Sequence, residues 1–378
     1  MYVINKRVGN RRIYLLAMLS CIVLGSCKSL KPMATTKPIR LQKTVHPNAQ
    51  NLLQRIQKIQ KVGYAFGHQD ATAYGIGWKN DGSIFKSDVH EVVGDHPAVH
   101  GFELGHIELG KAHNLDTVNF ALMKRLIKKA HTKGGIITLS WHPDNPVSNK
   151  SAWHTRKAVK HILEGGKFYE KYKTWVTRVA YFINDLKDES GQPIPIVFRP
   201  FHEMNGAWFW WGKGHCSSQE FIRLWQETVF LLNQELKVDQ VVYAYSPNAF
   251  NSKEEYLQYY PGDDFVDVLG VDIYQHWSTS SFMNTLATNL PILKEIAIEK
   301  NMPYALTEAG LNKLRVKDWW TQLDAHISDS GIAWALFWRN ARLSHYFAPF
   351  PNQKSSEDFK RFNALPHVLF LKDIQNID

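Results

Sequence analysis

The sequence predicts an α/β fold, a (β/α)8 TIM barrel that forms a single domain. From about residue 44 onwards, eight short apolar runs rich in β-branched residues alternate with amphipathic helical segments, and this alternation is typical of a parallel barrel. Polar side chains follow the carboxyl ends of the predicted strands, where barrel proteins place their functional residues. No G-x-G-x-x-G sequence follows the first strand, which excludes a dinucleotide-binding doubly wound sheet.

Each predicted element follows from its own pattern. The strands are predicted, in chain order, at 62–67, 98–104, 135–141, 195–201, 241–246, 266–274, 303–308 and 332–338. The helices are predicted at 51–61, 119–133, 169–187, 219–236, 285–300 and 315–329. In 219–236, for example, Phe221, Leu224 and Trp225 recur at helical spacing. Gly134 follows the second helix, where that helix should end before the next strand.

The net charge of +10 is concentrated at the amino terminus. Residues 1–43 contain nine lysines and arginines and no acidic residue, which leaves 36 basic against 35 acidic residues in the remainder. A groove that follows nucleic-acid phosphates needs a basic face. The nearly neutral body therefore argues against a nucleic-acid partner.

The amino-terminal segment resembles the signal peptide of a bacterial lipoprotein. A basic stretch precedes the apolar run at 13–26, which is short for a membrane span. The run leads into the sequence LGSC, which is similar to a lipobox and predicts cleavage before Cys27 and lipidation of that cysteine. The alternative is an uncleaved signal anchor. We therefore expect a signal peptide at 1–26, a tether at 27–43 and the folded domain at 44–378.

The expected location is the cell envelope, with the lipid on Cys27 as the membrane contact. The stretch KSLKPM after Cys27 lacks the acidic cluster that resembles surface-export signals in Bacteroides-like lipoproteins. This favours the periplasmic face of the outer membrane over the cell surface. Cys216 would be the one cysteine left in the mature domain, which excludes an internal disulfide. We expect a monomer.

Polar residues gather at the predicted carboxyl ends of the strands. They are His68, Gln69, Asp70, Glu103, His142, His202, Glu203, Asp272, Tyr274, Glu308, Trp338 and Arg339. For any one of them, capping a loop is an adequate explanation. Their convergence on one rim is typical of an active site.

Glu203 and Glu308 are the predicted catalytic pair. The sequence RPFHEMNGAWFWWG places Glu203 at the end of the fourth strand, and ALTEAG places Glu308 at the end of the seventh. A zinc-protease site is excluded because the position four after His202 is Gly206 rather than histidine. Two carboxyl groups in one cleft are the groups that hydrolyse a glycosidic bond, one as acid and the other as nucleophile. No metal or other cofactor is expected.

These motifs resemble those of the β-mannanases of glycoside hydrolase family 26. The resemblance covers most of residues 62–345 and includes FGHQ, SWHPDNP, GVDIYQ and FWRN besides the two glutamate motifs. It implies a retaining β-mannanase with Glu203 as acid/base and Glu308 as nucleophile. The implied substrates are the β-1,4-linkages of mannan, galactomannan or glucomannan and their oligosaccharides. The resemblance also implies six substrate-binding residues: His142, His202, Trp208, Tyr274, Trp338 and Arg339.

The roles of several side chains stay undecided at this stage. For five aromatic residues, core packing and stacking against a sugar are equally good explanations. They are Trp153, Phe209, Trp210, Trp211 and Trp277. Where the family often has an aspartate after the second strand, this chain has Glu103. Glu103 is either a third carboxylate in the cleft or a buried hydrogen-bonded rim residue, and we favour the second. Tyr274 is expected to hydrogen-bond Glu308.

The β-mannanase function has two kinds of alternative. β-1,3-1,4-Glucanases and β-1,3-xylanases occur in the same family. A non-catalytic glycan-binding lipoprotein belongs to a different class, and the presence of both glutamates speaks against it. The motifs also leave open whether the enzyme is endo-acting or releases mannobiose from chain ends. That choice depends on the long segments 142–165, 205–218 and 340–358.

Overall fold

The computed structural model describes residues 38–377, and from Ile39 onwards these residues form one compact unit. The predicted signal peptide, Cys27 and most of the predicted tether lie outside the described residues. Between residues 38 and 377, no helix is both long and apolar enough to cross a bilayer.

Eight parallel strands form a closed ring. Their bounds are β1 Tyr64–Gln69, β2 Val99–Glu103, β3 Ile136–Trp141, β4 Ile196–Pro200, β5 Val241–Tyr245, β6 Val268–Tyr274, β7 Tyr304–Gly310 and β8 Trp334–Phe337. Each strand pairs with the next along the chain, and β8 pairs with β1 to close the ring. The predicted (β/α)8 barrel is confirmed, and every predicted strand overlaps an observed one.

Helices precede, separate and follow the strands of the ring. Their bounds are α1 Pro47–Val62, α2 Asp88–Val93, α3 Phe120–Thr132, α4 Val159–Ile162, α5 Tyr169–Asn184, α6 Ser218–Phe230, α7 Lys253–Leu257, α8 Thr279–Lys300, α9 Trp319–Ile327, α10 Ser356–Asn363 and α11 Leu371–Ile374. α8 begins well before the predicted start at 285. Its earlier start is capped by Ser278, whose side chain accepts a hydrogen bond from the amide of Ser281.

The sequence prediction lacks the short helices α2, α4, α7, α10 and α11, and it also lacks a hairpin and one further strand. A hairpin of two-residue strands, Tyr74–Gly75 and Trp78–Lys79, follows β1. A further strand, β9 Val368–Leu369, pairs with the first residues of β1. Strands of two residues are too short for an alternating apolar pattern to be recognised.

The ring is filled by small and branched aliphatic side chains. They include Ala65, Val99, Val197, Ala244 and Leu336. Leu52 and Ile56 of α1 belong to the same buried cluster. α1 contacts both β1 and β5, which lie across the ring from each other, so this helix closes the amino-terminal end of the barrel. The opposite end of the barrel, at the carboxyl ends of the strands, is not covered by α1, and the polar residues lie there.

The residues that lead into α1 are attached to the barrel. Ile39 and Leu41 pack against the hydrophobic core. Lys43 Nζ lies 2.5 Å from Asp267 Oδ1, close to the start of β6. The last residues of the predicted tether therefore form part of the compact unit.

Candidate active site

A cavity of about 400 Å³ opens at the carboxyl ends of the strands. Its lining includes the predicted site residues His142, His202, Glu203, Trp208, Tyr274, Glu308 and Trp338. The remaining lining residues are Trp153, Phe209, Asn248, His276, His345 and Phe347. Side chains from distant parts of the sequence thus meet in one cleft at the end of the barrel that carries active sites in this fold.

Glu203 follows β4 in a turn with an uncommon backbone conformation. Phe201 and Glu203 have φ angles of 48° and 56°, in the left-handed region that side chains other than glycine rarely occupy. The amide of Glu203 donates to the carbonyl of Ser246 after β5, with an N–O distance of 2.8 Å. This bond fixes the turn to the neighbouring strand. Backbone strain of this kind persists where the surrounding structure imposes it, and it clusters at functional sites.

The surroundings of the Glu203 carboxyl group favour its protonated form. Burial raises its pKa well above the usual value, and the negative charges of Asp272 and Glu308 raise it further. Nε1 of Trp208 donates to Oε2 of Glu203 at 2.7 Å. That bond acts in the opposite direction, because a donor stabilises the carboxylate. The net result is a carboxyl group that can release a proton to a bound substrate.

Gly206 allows the indole of Trp208 to reach Glu203. A Cβ atom at position 206 would lie 2.3 Å from Cη2 of Trp208. A larger residue would therefore push the ring away from its present place. Trp208 is 38% exposed, so its ring is accessible to a ligand in the cavity.

Glu308 in β7 is held by two donors. Oη of Tyr274 donates to Oε1 of Glu308 at 2.7 Å, so the predicted hydrogen bond is present. Nη2 of Arg199 donates to the other oxygen, Oε2. Both oxygens of Glu308 therefore accept a hydrogen bond, which fixes the orientation of the carboxylate.

Arg199 and Asp272 support Glu308 from inside the barrel, a role that the sequence had not indicated. Nη1 of Arg199 lies 2.6 Å from Oδ2 of Asp272, and both side chains are almost fully buried. Asp272 also accepts from Oγ of Ser246 and Oγ1 of Thr307, each at 2.8 Å. The available signal was a charged residue inside each of two apolar strands, IVFRP and VLGVDIY. Buried charges of this kind are paired in folded proteins.

The undecided aromatic residues fall into three groups. Trp210 and Trp211 are fully buried and belong to the hydrophobic core. Trp153 lines the cavity with half of its surface exposed, and Phe209 lines it although it is buried. Trp277 is 84% exposed and does not line this cavity.

Arg339 lines a neighbouring cavity of about 620 Å³ rather than the cavity around Glu203. Its Nη2 lies 2.6 Å from Oδ1 of Asp116, and its Nη1 donates to Oη of Tyr74 at 3.1 Å. The preceding residue, Trp338, lines the cavity around Glu203. Arg339 therefore lies outside the cavity that the other predicted site residues line, although it is the next residue after Trp338.

Glu103 lies behind the wall of the cavity. It has no exposed surface, and its carboxylate lies 2.8 Å from Nδ1 of His142, which does line the cavity. Glu103 is therefore a buried hydrogen-bonded residue. Between residues 38 and 377, no group of three or more His, Cys, Asp or Glu side chains is arranged to hold a metal ion.

The sequence profile of glycosyl hydrolase family 26 matches residues 42–328. The chain belongs to this family. A family 26 β-mannanase from Bacteroides ovatus is 42% identical, with a TM-score of 0.85 over 88% of this chain and 97% of that chain. The catalytic domain of a family 26 endo-β-1,4-mannanase from Bacillus sp. JAMB-750 is 30% identical, with a TM-score of 0.83 over 90% and 95% of the two chains.

Curated relatives of this family 26 chain are similar to it over part of their length. A mannan endo-1,4-β-mannosidase from Bifidobacterium adolescentis is 34% identical over 270 residues, which are 68% of this chain and 26% of the relative. Mannan endo-1,4-β-mannosidase A and B from Caldalkalibacillus mannanilyticus is 24% identical over 268 residues, which are 66% and 48% of the two chains. The chain thus spans about a quarter to a half of these two relatives.

Proposed function

We propose that this family 26 enzyme hydrolyses β-1,4-mannosidic linkages in mannan, galactomannan or glucomannan and in their oligosaccharides, with retention of anomeric configuration. The observation that carries the proposal is the meeting of Glu203 and Glu308 in one cavity with contrasting surroundings. Burial and neighbouring charges favour a protonated Glu203. Arg199 and Tyr274 hold Glu308 as an oriented hydrogen-bond acceptor. The printed activities of the similar proteins from Bacteroides ovatus and Bifidobacterium adolescentis support mannan as the substrate.

In the first half of the reaction, a bond from the sugar to Glu308 forms as the glycosidic bond breaks. Glu203 donates its proton to the leaving oxygen, so the departing sugar leaves as an alcohol. A carboxylate oxygen of Glu308 attacks the anomeric carbon and forms a covalent glycosyl-enzyme. Tyr274 and Arg199 hold Glu308 in place for this attack.

In the second half, water replaces Glu308 at the anomeric carbon. Glu203, now ionised, removes a proton from that water. The carbon–oxygen bond to Glu308 breaks, and Glu308 returns to its carboxylate form. Two inversions at the same carbon leave the product with the configuration of the substrate.

The substrate assignment is tested by a panel of polysaccharides. We expect turnover of mannan and glucomannan, and much slower turnover of β-1,3-1,4-glucan and β-1,3-xylan. Proton NMR of mannohexaose hydrolysis at early times should show the β-anomer as the first product. Faster turnover of the glucan or xylan would replace mannan as the substrate, and a first-formed α-anomer would contradict the double displacement. Absence of turnover of every polysaccharide would favour the glycan-binding alternative.

The manner of attack is tested by the products formed over time from mannopentaose and from mannan. Endo action gives a range of oligosaccharides early, whereas action at chain ends gives mannobiose from the start. Trp153 and Trp208 are exposed aromatic residues in the cavity lining and offer flat faces for sugar rings. We propose four further substrate-binding residues. Three line the same cavity, namely His142, His202 and Trp338, and Arg339 lines the neighbouring one.

We also propose that the mature protein is a monomer tethered through a lipid on Cys27 to the periplasmic face of the outer membrane. The basic segment, the short apolar run and the sequence LGSC before a polar stretch support this proposal. The near-neutral body supports a membrane attachment through the lipid rather than through a charged face.

A further inference from the structure

A chain of three polar side chains runs from the buried Glu103 to the cavity wall. Glu103 accepts hydrogen bonds from the amide of Gly105 at 2.5 Å and from Oγ of Ser140 at 2.5 Å. It also accepts from the amide of His142 at 2.8 Å, and its Oε2 lies 2.8 Å from Nδ1 of the same histidine. Nε2 of His142 in turn lies 3.0 Å from Nε2 of His202.

Glu103 is ionised in this setting. Burial by itself raises the pKa of the carboxyl group, but the charge and hydrogen bond of His142 and the donors around it outweigh burial. The resulting pKa is about 2. An ionised carboxylate only accepts hydrogen bonds, so Nδ1 of His142 must carry a proton and donate it to Glu103.

The surroundings of His142 favour a second proton, on Nε2. Burial lowers the pKa of its imidazole, but the adjacent carboxylate of Glu103 more than offsets this effect. The net pKa of His142 is raised above the usual 6.5. The ring is stacked against Trp153 at 5.4 Å between ring centroids, and it is nearly perpendicular to the ring of His202.

His202 stays neutral beside this cation. Burial lowers its pKa well below the usual value, and the charges of Arg199 and His142 lower it further. A neutral imidazole has one donor and one acceptor nitrogen. When Nε2 of His142 is protonated, Nε2 of His202 must accept, and the single proton of His202 then lies on Nδ1. That Nδ1 atom is buried and has no partner among the described residues.

Other charged groups face this chain from several elements. Glu308 in β7 raises the pKa of His142, whereas Arg199 in β4 lowers it. Glu103 interacts with three further charged or titratable groups. They are Asp70, which follows β1, and His106 and Asp116, which both follow β2. The contact of Glu103 with His142, at 2.8 Å, is shorter than any other contact that the structure gives between His142 and an acidic group.

We propose that Glu103 is a positioning residue: its carboxylate keeps His142 doubly protonated, and His142 thereby fixes the tautomer of His202. This proposal rests on the proposed function, because it assumes that the cavity beside His142 and His202 binds the substrate. Its consequence is a pair of imidazoles with no free lone pair: both N–H groups of His142 are used within the chain, and the N–H on Nδ1 of His202 has no partner among the described residues. Loss of one proton from His142 would reverse the bond between the two rings and turn Nδ1 of His202 into an acceptor.

The tautomers can be measured directly on the purified protein labelled with ¹⁵N in its histidine rings. Protonated and unprotonated ring nitrogens have separate ¹⁵N shifts, and His142→Gln and His202→Asn variants identify the two rings. We expect two protonated nitrogens in His142 and a proton on Nδ1 alone in His202. A proton on Nε2 of His202 in the unmodified protein would overturn the proposal, whatever any variant does.

Variants then test whether Glu103 is the cause. In Glu103→Gln the neutral amide no longer holds the second proton, so His142 should become neutral and His202 should move its proton to Nε2. Raising the pH in the unmodified protein should produce the same change. Unchanged tautomers in Glu103→Gln would show that Glu103 is not responsible.

Glu108→Gln is the matched control. Glu108 is equally buried and accepts from Nε1 of Trp141 and from the amide of Asp144, at 3.1 and 2.8 Å. Within residues 38–377, no hydrogen bond joins its side chain to a histidine. Both variants lose one acceptor oxygen inside the same region. The histidine spectra should therefore change in Glu103→Gln and stay as they are in Glu108→Gln.

Kinetics give a second measurement. Glu103→Gln should lower kcat on mannooligosaccharides about 10- to 100-fold, with a smaller change in KM, because the two imidazoles that line the cavity are no longer held in one protonation state and position. A parallel loss in Glu108→Gln would indicate a merely structural effect and contradict the proposal. The expected tautomers without turnover of any mannan would refute the proposed function alone, since the spectra require no substrate.

Discussion

Glu203 and Glu308 carry the same functional group and differ through their neighbours. Glu203 has one donor, the indole of Trp208, and its pKa is raised by burial and by two negative charges. Glu308 has two donors, one of them the guanidinium of Arg199. The surroundings therefore favour the protonated form of Glu203, which fits the acid that we propose, and the side chain that Arg199 and Tyr274 orient fits the proposed nucleophile.

The two glutamates should fail in different ways when each is replaced by alanine. With an activated aryl mannobioside, which needs little protonation, Glu203→Ala should still form the glycosyl-enzyme and then release it slowly. Azide should restore its turnover and give the β-glycosyl azide, since azide needs no general base. On unactivated mannan the loss should be on the order of 10²–10⁴-fold.

Glu308→Ala serves as the comparison on the same substrate. It lacks the attacking oxygen, so stopped-flow release of the aryl group should show no burst. If both variants respond alike to azide, or show the same dependence on the leaving group, the assigned roles are wrong.

Trp208→Phe should move the basic limb of the kcat/KM profile to higher pH. The indole N–H stabilises the carboxylate form of Glu203, so its removal raises the pKa of Glu203 further. The protonated acid then persists to higher pH, and activity is lost later as the pH rises. The pH dependence of kcat/KM measures this directly. Trp277→Phe, outside the cavity lining, is the control, and a shift to lower pH would contradict the explanation.

At the scale of elements, the turn after β4 determines where the carboxyl group of Glu203 lies. Positive φ angles at Phe201 and Glu203 redirect the chain as it leaves the strand. The amide bond from Glu203 to Ser246 then fixes the turn to β5. A regular continuation of β4 would place the side chain of Glu203 differently, so this irregular segment is part of the site.

Gly206→Ala should impair the enzyme with little change in stability. The added Cβ would meet the far end of the Trp208 ring, a side chain that can swing aside into the cavity. Trp208 would then lose its bond to Glu203. We expect a loss of kcat/KM similar to that of Trp208→Ala, and a thermal midpoint close to that of the unmodified protein. Ala207→Ser, at the exposed neighbouring position, should keep full activity. A large fall in thermal midpoint would show that the turn itself is disrupted.

At the scale of the whole molecule, charge is divided between two parts of the chain. Nine basic residues precede position 44, and the remainder is nearly neutral. A nearly neutral body suits an uncharged polysaccharide, which offers no charge to attract. For the basic segment we propose a separate use, in directing export and lipid attachment.

Metabolic labelling with a fatty-acid analogue should mark the unmodified protein and leave Cys27→Ala unmarked. The reason is that lipidation requires the thiol at the predicted cleavage point. Cys21→Ala, which lies inside the apolar run, is the matched control and should still be labelled. Fractionation should then find the labelled protein with the outer membrane. Equal labelling of Cys27→Ala would contradict the lipid anchor.

The sequence by itself determined the barrel and the position of both glutamates along it. Eight apolar runs separated by helices are typical of one fold, the parallel (β/α)8 barrel. The ends of β4 and β7 can be recognised from the sequence because each is marked by a local motif. Element ends were less well determined. The start of α8 depends on a single cap, Ser278, and the hairpin after β1 consists of strands too short to give a pattern.

Only the tertiary structure decided which side chains act on one another. The bridge from Arg199 to Asp272 and Glu308 joins residues from β4, β6 and β7, and the contact of Glu103 with His142 joins the ends of β2 and β3. Sequence patterns report burial and period along one element, whereas protonation and tautomer depend on atoms brought together across the ring. The tertiary structure likewise divided the tryptophans, because an indole in the core and an indole facing a cavity have the same local sequence signal.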